Sequence, residues 1–321
     1  MSSPRVPLIF GTMTIGEPGK NGVRNESSEA QEILDVFFDA RFTALDTARM
    51  YGEGTTEKVL SELNLRNATI DTKVVPRQPG DHSPEKLRAT FKLSLATLKR
   101  EKVRIFYLHA PDRATPFQDT LREVNRLYGE GLFEIFGISN YMAWEVAEIV
   151  GIAKRYNWVQ PRIYQAMYNG ITRLIEPELV PCLRKFGINL VVYNPLAGGL
   201  FAGKIVSVTD LGEKGGRFDL SKPQGVTYRK RFIKESYLQS VEILKEVVAK
   251  HDLRLTEVAL RWLQHHSVLT PEDGVILGAS SAVQLKQNIE DSLKGPLPQE
   301  ILDAMDKAWS EIGLDCPPYW R

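Results

Sequence analysis

Four short runs between Val103 and Asn194 decide the fold: VRIFYLHA (103–110), IFGIS (135–139), IYQAM (163–167) and LVVYN (190–194). Each is rich in β-branched and aromatic residues, and each is followed by a longer stretch of helical period. Equivalent strand positions fall at His109, Gly137, Gln165 and Tyr193, 28 residues apart each time; upstream, Lys73 lies 36 residues before His109 and Leu45 lies 28 before Lys73. A spacing of this size fits one strand plus the helix that must return the chain to make a parallel neighbour. Further strands are expected at 8–10, 43–47, 70–75 and 275–278, with helices near 28–40, 56–63, 84–99, 117–128, 143–156, 177–186, 235–266 and 281–292. Eight strands with eight crossovers predict a (β/α)8 TIM barrel, typically ~250 residues before insertions. An open, doubly wound sheet is the alternative, but it would carry GxGxxG after its first strand, where this chain reads GTMTIG (11–16).

The chain has 321 residues, and the surplus has two homes: a long Gly-rich loop insertion after strand seven (197–233) and a C-terminal extension after position 297. Neither holds enough apolar residues for a core of its own, so residues 1–321 read as one domain. The 41 basic and 40 acidic residues leave a net charge of +1, which argues against a nucleic-acid binder. No apolar run reaches the ~20 residues of a membrane span, and no secretory signal is visible, so a cytoplasmic location is expected. The two cysteines, Cys182 and Cys316, have no zinc spacing, and the five histidines form no metal cluster; no metal is expected.

Barrel active sites form at the carboxyl ends of strands. Strand two runs into LDTARMYGEG, which places Asp46 at the rim and Tyr51 in the following loop. Strand three carries Lys73, and strand four ends in His109. Period two puts Ala44 and Asp46, Asp71 and Lys73, and Tyr107 and His109 on matching strand faces. Taken singly, a strand lysine is an edge or snorkelling residue and an Asp after a strand is a turn residue. Together they suggest one mouth where Asp46 compensates the buried Lys73. A phenol beside an ammonium should titrate below its usual ~10; three units require about 4 kcal/mol, close to one charge at ~4 Å in an effective dielectric of ~20. On this reading Tyr51 protonates a forming alkoxide, His109 orients the carbonyl and Asp46 holds Lys73.

In this arrangement the chain resembles the aldo-keto reductases, whose Asp–Tyr–Lys–His tetrad matches Asp46, Tyr51, Lys73 and His109. GISNY (137–141), QAMYN (165–169), YNPLAGGL (193–200) and ILGASSAVQLKQNI (276–289) follow in family order. GTMTIG, YNPLAGGLFAGK, YRKRF and the terminal CPPYWR further resemble the aflatoxin-aldehyde reductase and succinic semialdehyde reductase subfamily. The resemblance implies an NADP(H)-dependent reductase of aldehydes and ketones, and a homodimer. It implies that nicotinamide stacks on Tyr193, with its carboxamide held by Ser139, Asn140 and Gln165, beside Met13 and Asp46. The pyrophosphate would follow Asn194, Pro195, Leu196 and Gly198 toward Lys204. The 2′-phosphate and adenine would meet Gly278, Ser280, Ser281, Gln284, Lys286, Gln287 and Asn288 at a helix N-terminus. Gln284 stands where many relatives have arginine, so the bidentate charge is missing there. The substrate wall would comprise Tyr51, His109, Phe218, Tyr228, Arg231, Trp320 and Arg321, with Tyr319 nearby and the arginines suited to acid-bearing aldehydes. The alternative function is a cofactor-loaded binding subunit like the potassium-channel β subunits, against which the CPPYWR tail reads as a substrate lid.

Overall fold

The computed structural model describes residues 3–321, and their strands close into a parallel eight-stranded barrel in sequence order. The chain runs β1 (Leu8–Gly11), α1 (Ser27–Asp39), β2 (Ala44–Asp46), α2 (Thr55–Leu60), β3 (Thr69–Val74), α3 (Pro84–Leu98), β4 (Val103–Leu108) and α4 (Phe117–Gly129). It continues through β5 (Phe133–Ser139), α5 (Ala143–Arg155), β6 (Ile163–Met167), α6 (Leu179–Phe186) and β7 (Asn189–Tyr193). The connection to β8 (Gly274–Leu277) holds α7 (Pro223–Phe232), α8 (Glu235–Lys250) and α9 (Leu255–His265). Finally α10 (Ala282–Ser292) and α11 (Gln299–Ile312) complete the chain. The (β/α)8 expectation is borne out, and every expected strand is present within two residues of its expected ends.

Alternation along the strands separates two apolar layers. Phe10, Leu45, Ile70, Phe106, Phe136 and Val192 face outward into the main core beneath the helices, whereas Ile9, Val191 and Ile276 pack inside the barrel with Ala44 and Ile163. Register then stacks the polar inward positions. Asp46 pairs with Asp71, Lys73 with Tyr107, and Tyr107 with Gly137. A Cβ on Gly137 would meet the Tyr107 ring at 2.3 Å, so this glycine clears the lumen for that ring. The interior is thereby filled to the level of the lysine, and the strand ends above it form the floor of a cleft.

Two expectations are corrected. The single helix expected over 235–266 is two, because Asp252 adopts a left-handed φ of 52° and ends α8 before α9 begins. The insertion expected as loop contains α7, which starts with Pro223 in its first turn and buries Gly225, Tyr228 and Phe232 on one face. Among the described residues no helix is long and apolar enough to cross a membrane.

Candidate active site

A cavity of about 1100 Å³ opens at the carboxyl ends of the strands. It slightly exceeds the roughly 300–1,000 Å³ usual for small-molecule sites. Asp46, Tyr51 and His109 line it, and Lys73 lies fully buried beneath. The Lys73 Nζ donates to both carboxylate oxygens of Asp46 at 2.6 Å and to the Thr47 carbonyl at 2.9 Å, so its three N–H groups are occupied. The ammonium sits 5.3 Å from the centre of the Tyr51 ring and 5.6 Å from that of Tyr107. Asp46 also accepts from Gln165 Nε2 at 2.8 Å. This is a compensated buried pair, with the negative partner held from two sides.

The same geometry overturns the expectation of an acidified phenol. Burial pushes the Tyr51 hydroxyl well above 10, and Asp46 pushes it further in the same direction. The lysine does not offset this, because Asp46 neutralises it at hydrogen-bond distance and no N–H remains for the phenol. Tyr51 is therefore a neutral, proton-bearing group throughout the physiological range. His109 is neutral too: burial, then Lys73, hold its imidazole well below 6.5. The two rings meet edge to face with centroids 6.2 Å apart. The His109 Nδ1 has no hydrogen-bond partner among the described residues.

Most of the residues expected around a dinucleotide reach this cavity. Met13, Gln165, Tyr193, Asn194, Pro195, Leu196, Gly198 and Lys204 line one part, and Gly278, Ser280, Gln284, Gln287 and Asn288 another. Ser139, Asn140, Ser281 and Lys286 are not on its wall. Ser139 Oγ donates to the Gln165 carbonyl at 2.8 Å, and both amide hydrogens of Asn140 are taken by the His109 carbonyl and Ser139 Oγ. These strand-end groups therefore hold the loops. Ser281 caps α10 by accepting from the Gln284 N–H at 3.2 Å, and Gln284 Oε1 accepts from Ser280 Oγ at 2.9 Å. Lys204 pairs with Glu213 at 2.6 Å.

On the expected substrate side, Phe218, Tyr228, Arg231 and Arg321 line the cavity and Trp320 does not. The tail is pinned by Tyr319, whose hydroxyl donates to Glu178 at 2.6 Å, and by the Arg321 N–H on the Asn140 carbonyl at 3.1 Å. That anchoring turns Arg321 inward and leaves the Trp320 ring at the surface, stacked edge-on against Tyr319. Tyr228 donates to Asn194 Oδ1 at 3.1 Å; burial raises its titration point, but Arg217 and Arg231 beside the ring more than offset this and bring it below 10. Arg24, Arg217 and Arg254 also line the cavity, and sequence reading missed all three. A count of basic residues in the two loops flanking the cleft was the available signal.

The donor set fits a dinucleotide. The Asn194 Nδ2 is buried without a partner on the cavity wall. Gly198 has φ +68°, and a Cβ there would meet the Tyr228 ring at 2.5 Å, so the stretch after β7 stays bare of side chains. Among the described residues no cluster of His, Cys, Asp or Glu could hold a metal ion.

A parallel barrel with a lysine–aspartate pair under a tyrosine and a histidine at its carboxyl mouth defines a carbonyl-handling oxidoreductase site. The chain belongs to the Aldo/keto reductase family, whose sequence profile matches residues 7–310. It is 39% identical to mouse (Mus musculus) aflatoxin B1 aldehyde reductase member 2 over 330 aligned positions, covering 99% of this chain and 88% of that one. Human (Homo sapiens) aldo-keto reductase family 7 member A3 is 37% identical, with 100% and 99% covered. The aldo-keto reductase pigE of Monascus ruber is 35% identical, with 99% and 98% covered.

Proposed function

We propose that this enzyme reduces aldehydes with NADPH, using Tyr51 as proton donor and favouring substrates that carry an acid group. The observation that carries the reading is the meeting of two neutral groups, the Tyr51 phenol and the His109 imidazole, above the compensated Lys73–Asp46 pair in the family's cavity. When bound, the nicotinamide cofactor supplies the hydride. Tyr193 would back the nicotinamide ring, and Asn194 Nδ2, buried without a partner, would be available to donate to the cofactor.

The residues of the chain do the rest. His109, neutral and partnerless at Nδ1, directs the carbonyl oxygen toward Tyr51 by hydrogen bonding from the ring nitrogen that carries the proton. Tyr51 keeps its proton until negative charge develops on that oxygen. Lys73, paired with Asp46, lies under the phenol with its ammonium 5.3 Å from the ring centre and holds the floor on which the Tyr51 ring is positioned. Asp46 keeps the ammonium in place. Arg231 and Arg321, both on the cavity wall, would take a carboxylate at the far end of the substrate. The folding of the tail into the mouth favours this reading over a docking subunit with little turnover.

The test is NADPH oxidation against a panel of acid-bearing and neutral aldehydes, repeated with Tyr51→Phe. General acid catalysis contributes about 10²–10⁴ in rate, so turnover should fall by that much. NADPH binding, followed by fluorescence, should persist. Unchanged turnover in Tyr51→Phe would overturn the assignment.

A further inference from the structure

We propose that His82 is a positioning residue for His109: through one bound water it supplies the hydrogen bond that holds His109 Nδ1 as an acceptor and keeps that ring's proton on Nε2. The proposal deepens the reductase reading and rests on it, since it takes His109 as the group that directs the carbonyl.

His82 lies in the loop between β3 and α3, off the cavity wall, and is only 1% exposed. Neither of its ring nitrogens has a hydrogen-bond partner among the described residues, and the buried His109 Nδ1 has none either. Three partnerless imidazole nitrogens in one neighbourhood are costly, because buried polar atoms are normally satisfied by protein or by ordered water. Their neighbourhood is set by two adjacent strands, β3 and β4. One ring nitrogen of His82 faces the Val74 carbonyl, too loosely for a full hydrogen bond, and that same carbonyl accepts the His109 N–H at 2.9 Å. The rings also sense each other: burial first, then Lys73, Arg321 and His82, lower the titration point of His109. They are near neighbours without a direct bond.

The surrounding backbone fixes both rings. Asp112, three residues after His109, accepts from the N–H groups of Gly80 at 3.2 Å and His82 at 2.9 Å and from Thr115 Oγ1 at 2.8 Å. Thr120 Oγ1 donates to the His82 carbonyl at 3.2 Å, and Asn140 Nδ2 donates to the His109 carbonyl at 2.7 Å. The loop after β3 is thereby tied to the loop after β4, and the ring nitrogens alone remain to be satisfied.

Counting protons says how. Burial pushes His82 down to about 4 and holds His109 well below 6.5, so at neutral pH each ring has one N–H and one acceptor nitrogen. With its N–H toward Val74, His82 presents an acceptor on the other side. His109 must carry its proton on Nε2 to donate to a carbonyl in the cavity, so its Nδ1 is an acceptor as well. Two acceptors cannot bond each other, whereas a water between them donates one hydrogen to each, as buried waters with two or more polar partners do. The bond made by one imidazole nitrogen decides which nitrogen is protonated. Donation to Nδ1 therefore fixes the tautomer and opposes a flip of the ring.

The experiment records 15N NMR of the histidine rings, with His109 assigned through His109→Gln, beside kcat and KM in wild type, His82→Leu, His82→Gln and Thr120→Val. Wild type should carry its His109 proton on Nε2, with Nδ1 showing the signature of a hydrogen-bonded acceptor. His82→Leu should move the Nδ1 resonance away from that signature and lower kcat about 5–10-fold, the scale of one hydrogen bond, with NADPH Kd unchanged. His82→Gln, which keeps a donor and an acceptor, should recover most of the loss. Thr120→Val loosens the loop without touching either ring and should leave both readouts within twofold of wild type. An unmoved Nδ1 resonance in His82→Leu, a wild-type proton on Nδ1, or an equal loss in Thr120→Val overturns the proposal. A wild type that turns over no aldehyde with NADPH would instead sink the reductase reading, and the Nδ1 resonance would still decide whether His82 holds His109.

Discussion

The barrel wall and the insertion treat charge in opposite ways. Inside the barrel, every charge is answered: Lys73 by Asp46 and the Thr47 carbonyl, Asp71 by Arg104, Asp46 by Gln165 as well. On the insertion and the tail, Arg217, Arg231 and Arg321 face the cavity with no acidic partner within ion-pair distance among the described residues. The first region is finished before a ligand arrives, and the second is completed by one. Chemistry that must be positioned belongs on strands closed by hydrogen bonds; selection of anions belongs on loops whose charges remain available.

Breaking the finished region should have the largest effect. Lys73→Met leaves the buried Asp46 carboxylate without its cation, a loss of about 3–5 kcal/mol that should lower the melting temperature by roughly 5–15 °C. Asp46→Asn combined with Lys73→Met removes both charges and should restore most of that stability without restoring turnover. Differential scanning calorimetry beside a turnover assay separates the two roles. A double variant as unstable as the single one would show that the pair is not self-contained.

In the open region, effects should fall on selection. Arg231→Gln and Arg321→Gln should each raise KM for acid-bearing aldehydes about tenfold, the scale of one charge-assisted contact, with little change for neutral aldehydes of similar size. Stability should move by less than about 1 kcal/mol, as for surface substitutions that break no packed contact. Equal losses on neutral and acidic aldehydes would place these arginines outside the substrate's reach.

The contrast also explains what could be read from the sequence. Strand periodicity placed Asp46, Lys73 and His109 correctly, because register and alternation are set by the hydrophobic pattern itself. Ile163–Met167 was legible to the residue. What failed was hydrogen-bond bookkeeping. Ser139 and Asn140 have the right groups at the right strand end, yet their donors are taken by the Gln165 and His109 carbonyls and by Ser139 Oγ, which no one-dimensional pattern reveals. Tyr51 was read as acidified because the lysine was counted and its full occupation by Asp46 and Thr47 was not. The α8–α9 break was hidden because Asp252, not glycine, takes the left-handed position. Arg24 was overlooked in the loop after β1, and Trp320, expected on the substrate wall together with Arg321, is turned away from it by the anchoring of Tyr319 while Arg321 stays on the wall.

The proposed chemistry turns on the protonation of one phenol. Tyrosinate absorbance, titrated in wild type and in Tyr51→Phe and taken as a difference, isolates that group. Burial and Asp46 raise its titration point, so the proton stays on as pH rises through neutrality; no tyrosinate assignable to Tyr51 should form below about pH 10, the free phenol value. A single tyrosinate growing in between about pH 7 and 9, and absent from Tyr51→Phe, would contradict it.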